Sequence, residues 1–309
     1  MRDKIAVTGS DGFIGRYICK EIIEENFKIK RLYRFKGNEN SDTDHNFDLS
    51  KKITKNILSD VKCIVHCAAK VHSKEDNSTD NHASFIDLNN ESTIHLLKAA
   101  ASNGVEHIIF LSTVAVYGID YFLYPVSESH EPNPVTNYGK SKLLAEESIR
   151  KQCQLLNMSF TILRLPLIYG PDAPGNFGLI QSVIKKNIPL PFKYIKNIRT
   201  MAYVENVANF ITYIIKHNKC HNKTLIFSDG SNFSTEDLVT IPRQSAGRRE
   251  LIFYIPKILI KLVLFLTGKK KIYYQLFEDL QFKTSSEIAD IGWKPKVSPK
   301  DALINSYNN

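Results

Sequence analysis

The 309-residue chain reads as an α/β protein: a parallel sheet with helices on both faces, followed by a smaller C-terminal lobe. Three observations predict this. Short apolar runs alternate with helical periodicity up to residue 165. A glycine-rich turn joins the first run to the first helical stretch. Beyond Pro166 the alternation weakens, and Pro and Gly cluster at 166–178 and 189–191.

In chain order, residues 4–8 form a short apolar strand. Ile14, Ile18, Ile22 and Ile23 have helical spacing, 29–33 is a second strand, and the polar stretch 36–46 is loop. Residues 63–67 are the next strand. Leu88, Ile94, Leu96, Leu97 and Ala100 mark a helix over 84–103. Residues 107–112 are strand, 137–156 helix and 160–165 strand. Units of this length imply right-handed crossovers within one parallel sheet. Residues 1–165 therefore form a dinucleotide-binding unit, completed by about 201–228 because 224–227 reads as a strand returning to the sheet. Residues 166–309 are mainly a substrate-binding lobe.

The composition, 43% hydrophobic and 24% charged, is that of a globular chain with a buried core. A net charge of +9 suits an acidic ligand, an anionic membrane surface or nucleic acid. The basic residues are spread along the chain without an arginine-rich arm, which favours a phosphate-bearing small molecule over nucleic acid. Five irregularly spaced cysteines give no disulfide framework and point to a reducing, cytoplasmic setting. The strand beginning at Lys4 leaves no room for a leader. His217, Cys220 and His221 lack a second ligand pair at zinc spacing, so no metal is expected. The apolar run 251–267 is interrupted by Pro256, Lys257 and Lys261 and is too broken to span a bilayer. It reads as a helix packed on the C-terminal lobe, or as an amphipathic helix on a membrane with Lys269, Lys270 and Lys271 meeting anionic lipid.

Thr8-Gly9-Ser10-Asp11-Gly12-Phe13-Ile14-Gly15 connects the first strand to the first helix. Glycines at 9, 12 and 15 allow a tight turn and close approach of a pyrophosphate to the helix N-terminus. After the second strand stands Arg34, where many dinucleotide sites carry an acid on the ribose. Arginine there can face a 2′-phosphate, which favours NADP(H) with NAD(H) as the alternative; the other reading is a solvated strand end.

Tyr138 and Lys142 lie four apart at the start of a helix and project from one face. A nearby ammonium favours the phenolate and brings tyrosine toward the working pH range. Lys142 can equally pair with Glu146 at the surface, leaving Tyr138 to packing. Thr113, at the carboxyl edge of its strand, can hydrogen-bond the substrate oxygen that Tyr138 protonates.

Taken in order, Thr-Gly-x-x-Gly-x-x-Gly (8–15), His66-Cys67-Ala68-Ala69, Asn89 with Thr93, Ser112-Thr113 through Val116-Tyr117-Gly118, Tyr138-x-x-x-Lys142, and Leu163-Arg164-Leu165-Pro166 with Tyr169-Gly170-Pro171 resemble the extended short-chain dehydrogenases, the NAD-dependent epimerase/dehydratase group. The resemblance covers nearly the whole chain. It implies a Rossmann-like fold and Thr113, Tyr138 and Lys142 as the catalytic set. It assigns the cofactor Gly9, Asp11, Gly12, Phe13, Ile14 and Gly15 in the turn, Asp48 and Leu49 beside the adenine, Cys67, Ala68 and Ala69 along it, and Asn89, Tyr138, Lys142 and Leu165. It assigns the substrate Lys70, Thr113, Asn176 and Arg199, with Arg199 on a UDP diphosphate; the alternative for Arg199 is an exposed loop cation.

Dehydratases of the group place Asp-Glu after the catalytic threonine, whereas this chain has Val114-Ala115, which transfer no proton. The rest of the chain, including Ala68-Ala69-Lys70-Val71-His72, Gly175-Asn176-Phe177, Ile188-Pro189-Leu190-Pro191, Asn197-Ile198-Arg199, Tyr203-Val204-Glu205-Asn206, Gly292-Trp293 and Pro295, is similar to bacterial 4-reductases of UDP-2-acetamido-2,6-dideoxy-hexos-4-ulose in surface-polysaccharide synthesis. Val116-Tyr117-Gly118 instead follows the 4-epimerase pattern. The expectation is therefore an NAD(P)H-dependent keto-sugar reductase, with a UDP-sugar 4-epimerase as the alternative. A non-catalytic NAD(P)-sensing protein on the same fold is the reading from another class. The resemblance further implies a homodimer across helices 84–103 and 137–156.

Overall fold

The computed structural model describes residues 3–34, 43–48, 53, 55–68 and 80–307, without the side chains of 55, 56 and 80–89. Seven parallel strands form the main sheet: β1 (Lys4–Thr8), β2 (Lys28–Tyr33), β3 (Asp44–Asn46), β4 (Val61–His66), β5 (His107–Thr113), β6 (Ser159–Leu165) and β9 (Lys223–Ile226). Their order is β3-β2-β1-β4-β5-β6-β9. The chain reverses direction across the sheet between β1 and β4, and the crevice beyond their carboxyl ends is where such sheets bind ligands. The chain is thus an α/β protein on a Rossmann-like sheet.

The uninterrupted apolar strands follow from burial on both faces, since successive side chains alternate between them. Ile5, Val7, Val65, Ile109 and Leu163 meet Ile18 and Ile22 of α1 (Phe13–Glu24) and Phe210, Ile211 and Ile214 of α5 (Val204–Lys216). Ala6, Ile64, Ile108, Phe110 and Ile162 meet Leu96, Leu97 and Ala100 of α2 (Asp80–Ser102) and Ala145, Ile149 and Cys153 of α3 (Asn137–Leu155).

Two elements differ from the sequence expectation. Within the stretch expected to be loop, Asp44–Asn46 forms β3, paired in parallel with β2 and anchored by a 2.6 Å ion pair between Arg31 and Asp44. A three-residue polar edge strand has no apolar pattern, so periodicity is blind to it. Helix α5 lies where regularity was expected to fade, although Val207, Phe210, Ile211 and Ile214 already have helical spacing.

A second, three-stranded sheet, ordered β10-β8-β7, joins β7 (Leu167–Tyr169), β8 (Arg199–Tyr203) and β10 (Asn232–Phe233). Around it lie α4 (Gly175–Lys185), α6 (Asp237–Ser245), α7 (Lys257–Leu266), α8 (Lys270–Phe277), α9 (Ser286–Asp290) and α10 (Pro299–Asn305). No described helix is long and apolar enough to cross a membrane. All five cysteines are free thiols.

At the amino edge of the sheet, buried His107 sits 2.9 Å, Nδ1 to Nδ1, from His221, and its Nε2 is 3.0 Å from the Thr161 hydroxyl. Of two imidazole nitrogens this close, one donates and the other accepts. Burial, then the His221 ring, lowers the His107 pKa from the ordinary 6.5 to about 3. The folded value lies below the unfolded one, so the unfolded chain binds the extra proton between these limits. The stability is fully present above pH 6.5 and drains away as pH falls toward 3. Replacing His107→Asn is expected to flatten this acid dependence by about 1.4 kcal/mol per pH unit within the window. Urea titrations at pH 7 and pH 5 measure it, and equal slopes for both proteins would refute the assignment.

Candidate active site

The site begins at the turn after β1. Gly9 has φ +64°, and a Cβ there would lie 2.9 Å from the Ala68 backbone; one at Gly15 would lie 2.1 Å from the Gly9 carbonyl oxygen. Only glycine allows this folding of the turn against the end of β4 and the start of α1. Gly12 caps α1 without a side-chain hydrogen bond, and its first turn holds no acid. The hydroxyl oxygen of Ser10 is buried without a partner. Bare helix amides, a buried unused hydroxyl and a backbone that admits close approach fit the diphosphate of a dinucleotide.

Beside the turn, the Thr8 hydroxyl accepts the Ala68 N–H at 3.2 Å and lies 2.7 Å from His66 Nδ1. Burial, reinforced by the charge of Lys142, pushes the His66 pKa down to about 3. His66 is therefore a neutral strut between β1 and β4.

Helix α3 supplies the next groups. Thr136 caps it, its hydroxyl accepting the Gly139 N–H at 3.1 Å, and this sets Tyr138 in the first turn. Gly139 lets the helix settle on the 3₁₀ turn Val114–Tyr117, since a Cβ there would lie 2.6 Å from the Ala115 carbonyl oxygen. Thr113, at the end of β5, caps that turn by accepting the Ala115 N–H at 3.2 Å. Tyr138, half-buried, and Thr113 are thereby placed at the carboxyl edge of the sheet.

The expected lowering of the Tyr138 pKa by Lys142 is not what the structure has. Burial raises the phenol above its ordinary value. The buried Lys142 ammonium donates to the Leu111 carbonyl at 2.8 Å and lies 4.5 Å from the Phe110 ring centroid. Its pKa falls to about 8, chiefly through burial, against the opposing effects of Cys67 and Glu146. Desolvation sets both values because both groups sit under the sheet edge.

Glu146 does not pair with Lys142 at the surface. It is fully buried and accepts from Ser112 Oγ at 2.5 Å, from Arg164 Nε and Nη2 at 3.1 and 2.7 Å, and from Arg150 at 2.8 Å. Arg164 also donates to the Tyr117 hydroxyl at 2.9 Å. The sequence pattern assigns no site-building role to Glu146, Arg164, Ser112, Tyr117 or Gly139. One signal was available: Arg164 is a single cation in the apolar strand Thr-Ile-Leu-Arg-Leu, and a buried arginine requires a buried acid.

On the C-terminal side, α8 and the residue after it bond two of the four expected substrate ligands. Arg199 is partly buried and is not the exposed loop cation of the alternative reading. Its Nη1 donates to the carbonyls of Tyr274 and Glu278 at 3.1 and 3.2 Å, and burial lowers its pKa. Exposed Asn176 donates to Gln275 at 2.8 Å. Tyr274 stacks on Tyr121 at 4.7 Å, which ties α8 to the loop that follows Thr113.

The remaining expected residues differ in exposure. Arg34 is exposed just after β2, Asp11 is exposed in the turn, and Phe13, Ile14, Cys67 and Asp48 are half-buried. Leu165 is buried in the main core. Leu49, Ala69 and Lys70, and the side chain of Asn89, lie outside the described residues. His217 packs on Tyr213 while His221 faces His107, and no cluster among the described residues is arranged to hold a metal.

The profile of the NAD dependent epimerase/dehydratase family matches residues 5–227. The chain belongs to this family. Among its relatives, UDP-glucose 4-epimerase of Vibrio cholerae is 29% identical over 311 residues, covering 96% of this chain and 92% of the relative. N-acetyl-alpha-D-glucosaminyl-diphospho-ditrans,octacis-undecaprenol 4-epimerase of Escherichia coli O157:H7 is 28% identical, covering 83% and 76%. The crystal structure of UDP-glucuronic acid 4-epimerase from Bacillus cereus in complex with NAD superposes with a TM-score of 0.77, covering 99% of this chain and 97% of that one; at 20% identity this marks a shared fold. The chain is thus an enzyme of the epimerase/dehydratase family.

In this family member the Glu146 cluster is the principal buried charge beneath the site. Glu146→Ala leaves Arg164 buried without its acid and is expected to destabilise the protein by about 3–5 kcal/mol, measured by urea denaturation. A loss below about 1 kcal/mol would show that the cluster contributes little to stability.

Proposed function

We propose that the chain is an NAD-dependent 4-epimerase of a UDP-activated hexose or N-acetylhexosamine. The observation that carries this reading is the placement of Thr113 and Tyr138 together at the carboxyl edge of the sheet, beside a turn and bare helix terminus that fit a dinucleotide. The names of the relatives support an epimerase over the keto-sugar reductase expected from the sequence.

NAD, when bound, supplies the acceptor for the hydride of the sugar C4 and returns it to the opposite face. Tyr138 takes the C4 hydroxyl proton and gives it back. Burial keeps the phenol protonated at rest, so Lys142 must favour the phenolate during reaction by its charge. Thr113 hydrogen-bonds the C4 oxygen. Arg199, whose other guanidinium nitrogens make no hydrogen bond among the described residues, holds the diphosphate with Asn176. Val114 and Ala115 offer no second acid–base group, which supports an outcome without elimination of water.

Residues 1–165 with 201–228 form the cofactor part and most of the remainder the sugar part. A nucleotide-sugar substrate puts the reaction in the cytoplasm. The homodimer across α2 and α3 belongs to the same proposal, and light scattering at micromolar concentration tests it.

Incubation with UDP-glucose or UDP-N-acetylglucosamine is expected to yield the C4 epimer by proton NMR, and Tyr138→Phe to lower kcat by roughly 10²–10⁴-fold. Stoichiometric consumption of reduced nicotinamide by a 4-keto sugar, with no epimerisation, would move the assignment to a reductase. Exposed Arg34 supports a second reading, use of NADP. In that case Arg34→Ala raises the Kd for NADP about tenfold or more and leaves that for NAD unchanged. Equal effects on both would end the NADP reading.

A further inference from the structure

Helix α7 is apolar around most of its circumference, a pattern that belongs to buried helices. Yet among the described residues only one side packs on the core: Ile260, Leu264 and Phe265 pack on the cluster that holds Tyr273 and Phe277. The other side carries Ile258, Leu262 and Leu266 in one row, 70, 56 and 78% exposed, with Leu259 and Val263 beside them at 52 and 59%. Phe253 and Tyr254, just before the helix, are also exposed. This exceeds the scattered apolar exposure of an ordinary surface.

We propose that this face of α7 docks on an anionic lipid bilayer. The charge pattern selects that occupant. From 251 to 277 the chain has five lysines, at 257, 261, 269, 270 and 271, and no acid. Lys261 lies 5.5 Å from the ring centroids of both Phe265 and Tyr273, and Lys270 lies 5.2 Å from that of Phe265. Two of the ammonium groups thus lie over aromatic rings of α7 and α8, so positive charge is held beside the apolar face, the pairing that suits an anionic membrane interface. A second copy meeting the same face across a two-fold axis would bring two uncompensated sets of lysines together, whereas acidic headgroups neutralise them.

Docking has a consequence for the sugar site. Tyr274 of α8 touches Phe265 of α7 at 6.1 Å on one side and stacks on Tyr121 at 4.7 Å on the other. The helix that bonds Arg199 and Asn176 therefore sits directly behind the docking face.

The test is co-sedimentation of the full chain with vesicles of phosphatidylcholine containing roughly one-third phosphatidylglycerol, beside vesicles of phosphatidylcholine alone. Binding to the anionic vesicles is expected to be about tenfold or more stronger and to fall with salt. Leu262→Glu with Leu266→Glu should abolish it with an unchanged circular dichroism spectrum. Should that variant misfold, Lys269→Gln with Lys270→Gln and Lys271→Gln should weaken binding by roughly fivefold per lysine. A wild-type chain that stays in the supernatant overturns the proposal, as does vesicle binding unaffected by these substitutions. Loss of a dimer in the Leu262→Glu, Leu266→Glu variant without vesicle binding by the wild type would assign the face to a second copy and likewise overturn it. Tyr138→Phe should bind vesicles as the wild type does, so the docking face and the proposed activity fail independently.

Discussion

The buried carboxylate of Glu146 is the constraint on which the architecture of the site depends. It lies one helical turn beyond Lys142 and two beyond Tyr138, so whatever holds it sets the rotation and depth of α3. It is held by the serine that precedes Thr113 on β5 and by the guanidinium of Arg164 on β6. Arg164 then reaches Tyr117, in the turn that Thr113 caps. One carboxylate thereby ties together two strands, a helix and a turn. A buried acid is tolerated only because every available lone pair is met by a charged or hydroxyl donor. The same requirement leaves the cluster little freedom to rearrange.

Above this cluster, burial governs the ionisable groups of the site. It depresses His66, lowers Lys142 to about 8 and raises Tyr138. The Lys142 ammonium remains buried beside the site, and the first-turn amides of α1 have no side-chain cap. Such a crevice suits a ligand that brings negative charge. The chain belongs to an NAD dependent family, and Val116-Tyr117-Gly118 here has a concrete structural role. Tyr117 closes the Glu146–Arg164 network, and Gly118, with φ +69°, turns the chain away from it.

The outer strands and the second sheet show where pattern reading loses its hold. Strands β1, β4, β5 and β6 announce themselves because both their faces are buried and each has a central apolar run. Strand β3 is short, polar and at an edge, held by an ion pair and by backbone bonding that periodicity cannot register. Strand β10 is two residues long and exists because β8 is there to receive it. The split character of α7 belongs here as well: its sequence looks like an interrupted core segment, but the small cluster beneath it has room for only one of its sides.

The joint order of its motifs resembles the family to which the chain belongs, and by itself the sequence determined the α/β class, the glycine turn after the first strand, and the common helix face of Tyr138 and Lys142. Each of these is encoded in local spacing: periods of two and of 3.6, glycines where a backbone must turn or approach, and two side chains four apart on one helix. Tertiary structure alone decided which charges are partners. Glu146 is four residues from both Lys142 and Arg150, and spacing gives no reason to prefer Arg164, eighteen residues away on a strand. Only the packing of α3 across β5 and β6 brings that guanidinium to the carboxylate and turns the Lys142 ammonium to the Leu111 carbonyl. Burial, which sets the proton affinity of the site, is a property of what surrounds a residue in space and is not contained in the order of its neighbours along the chain.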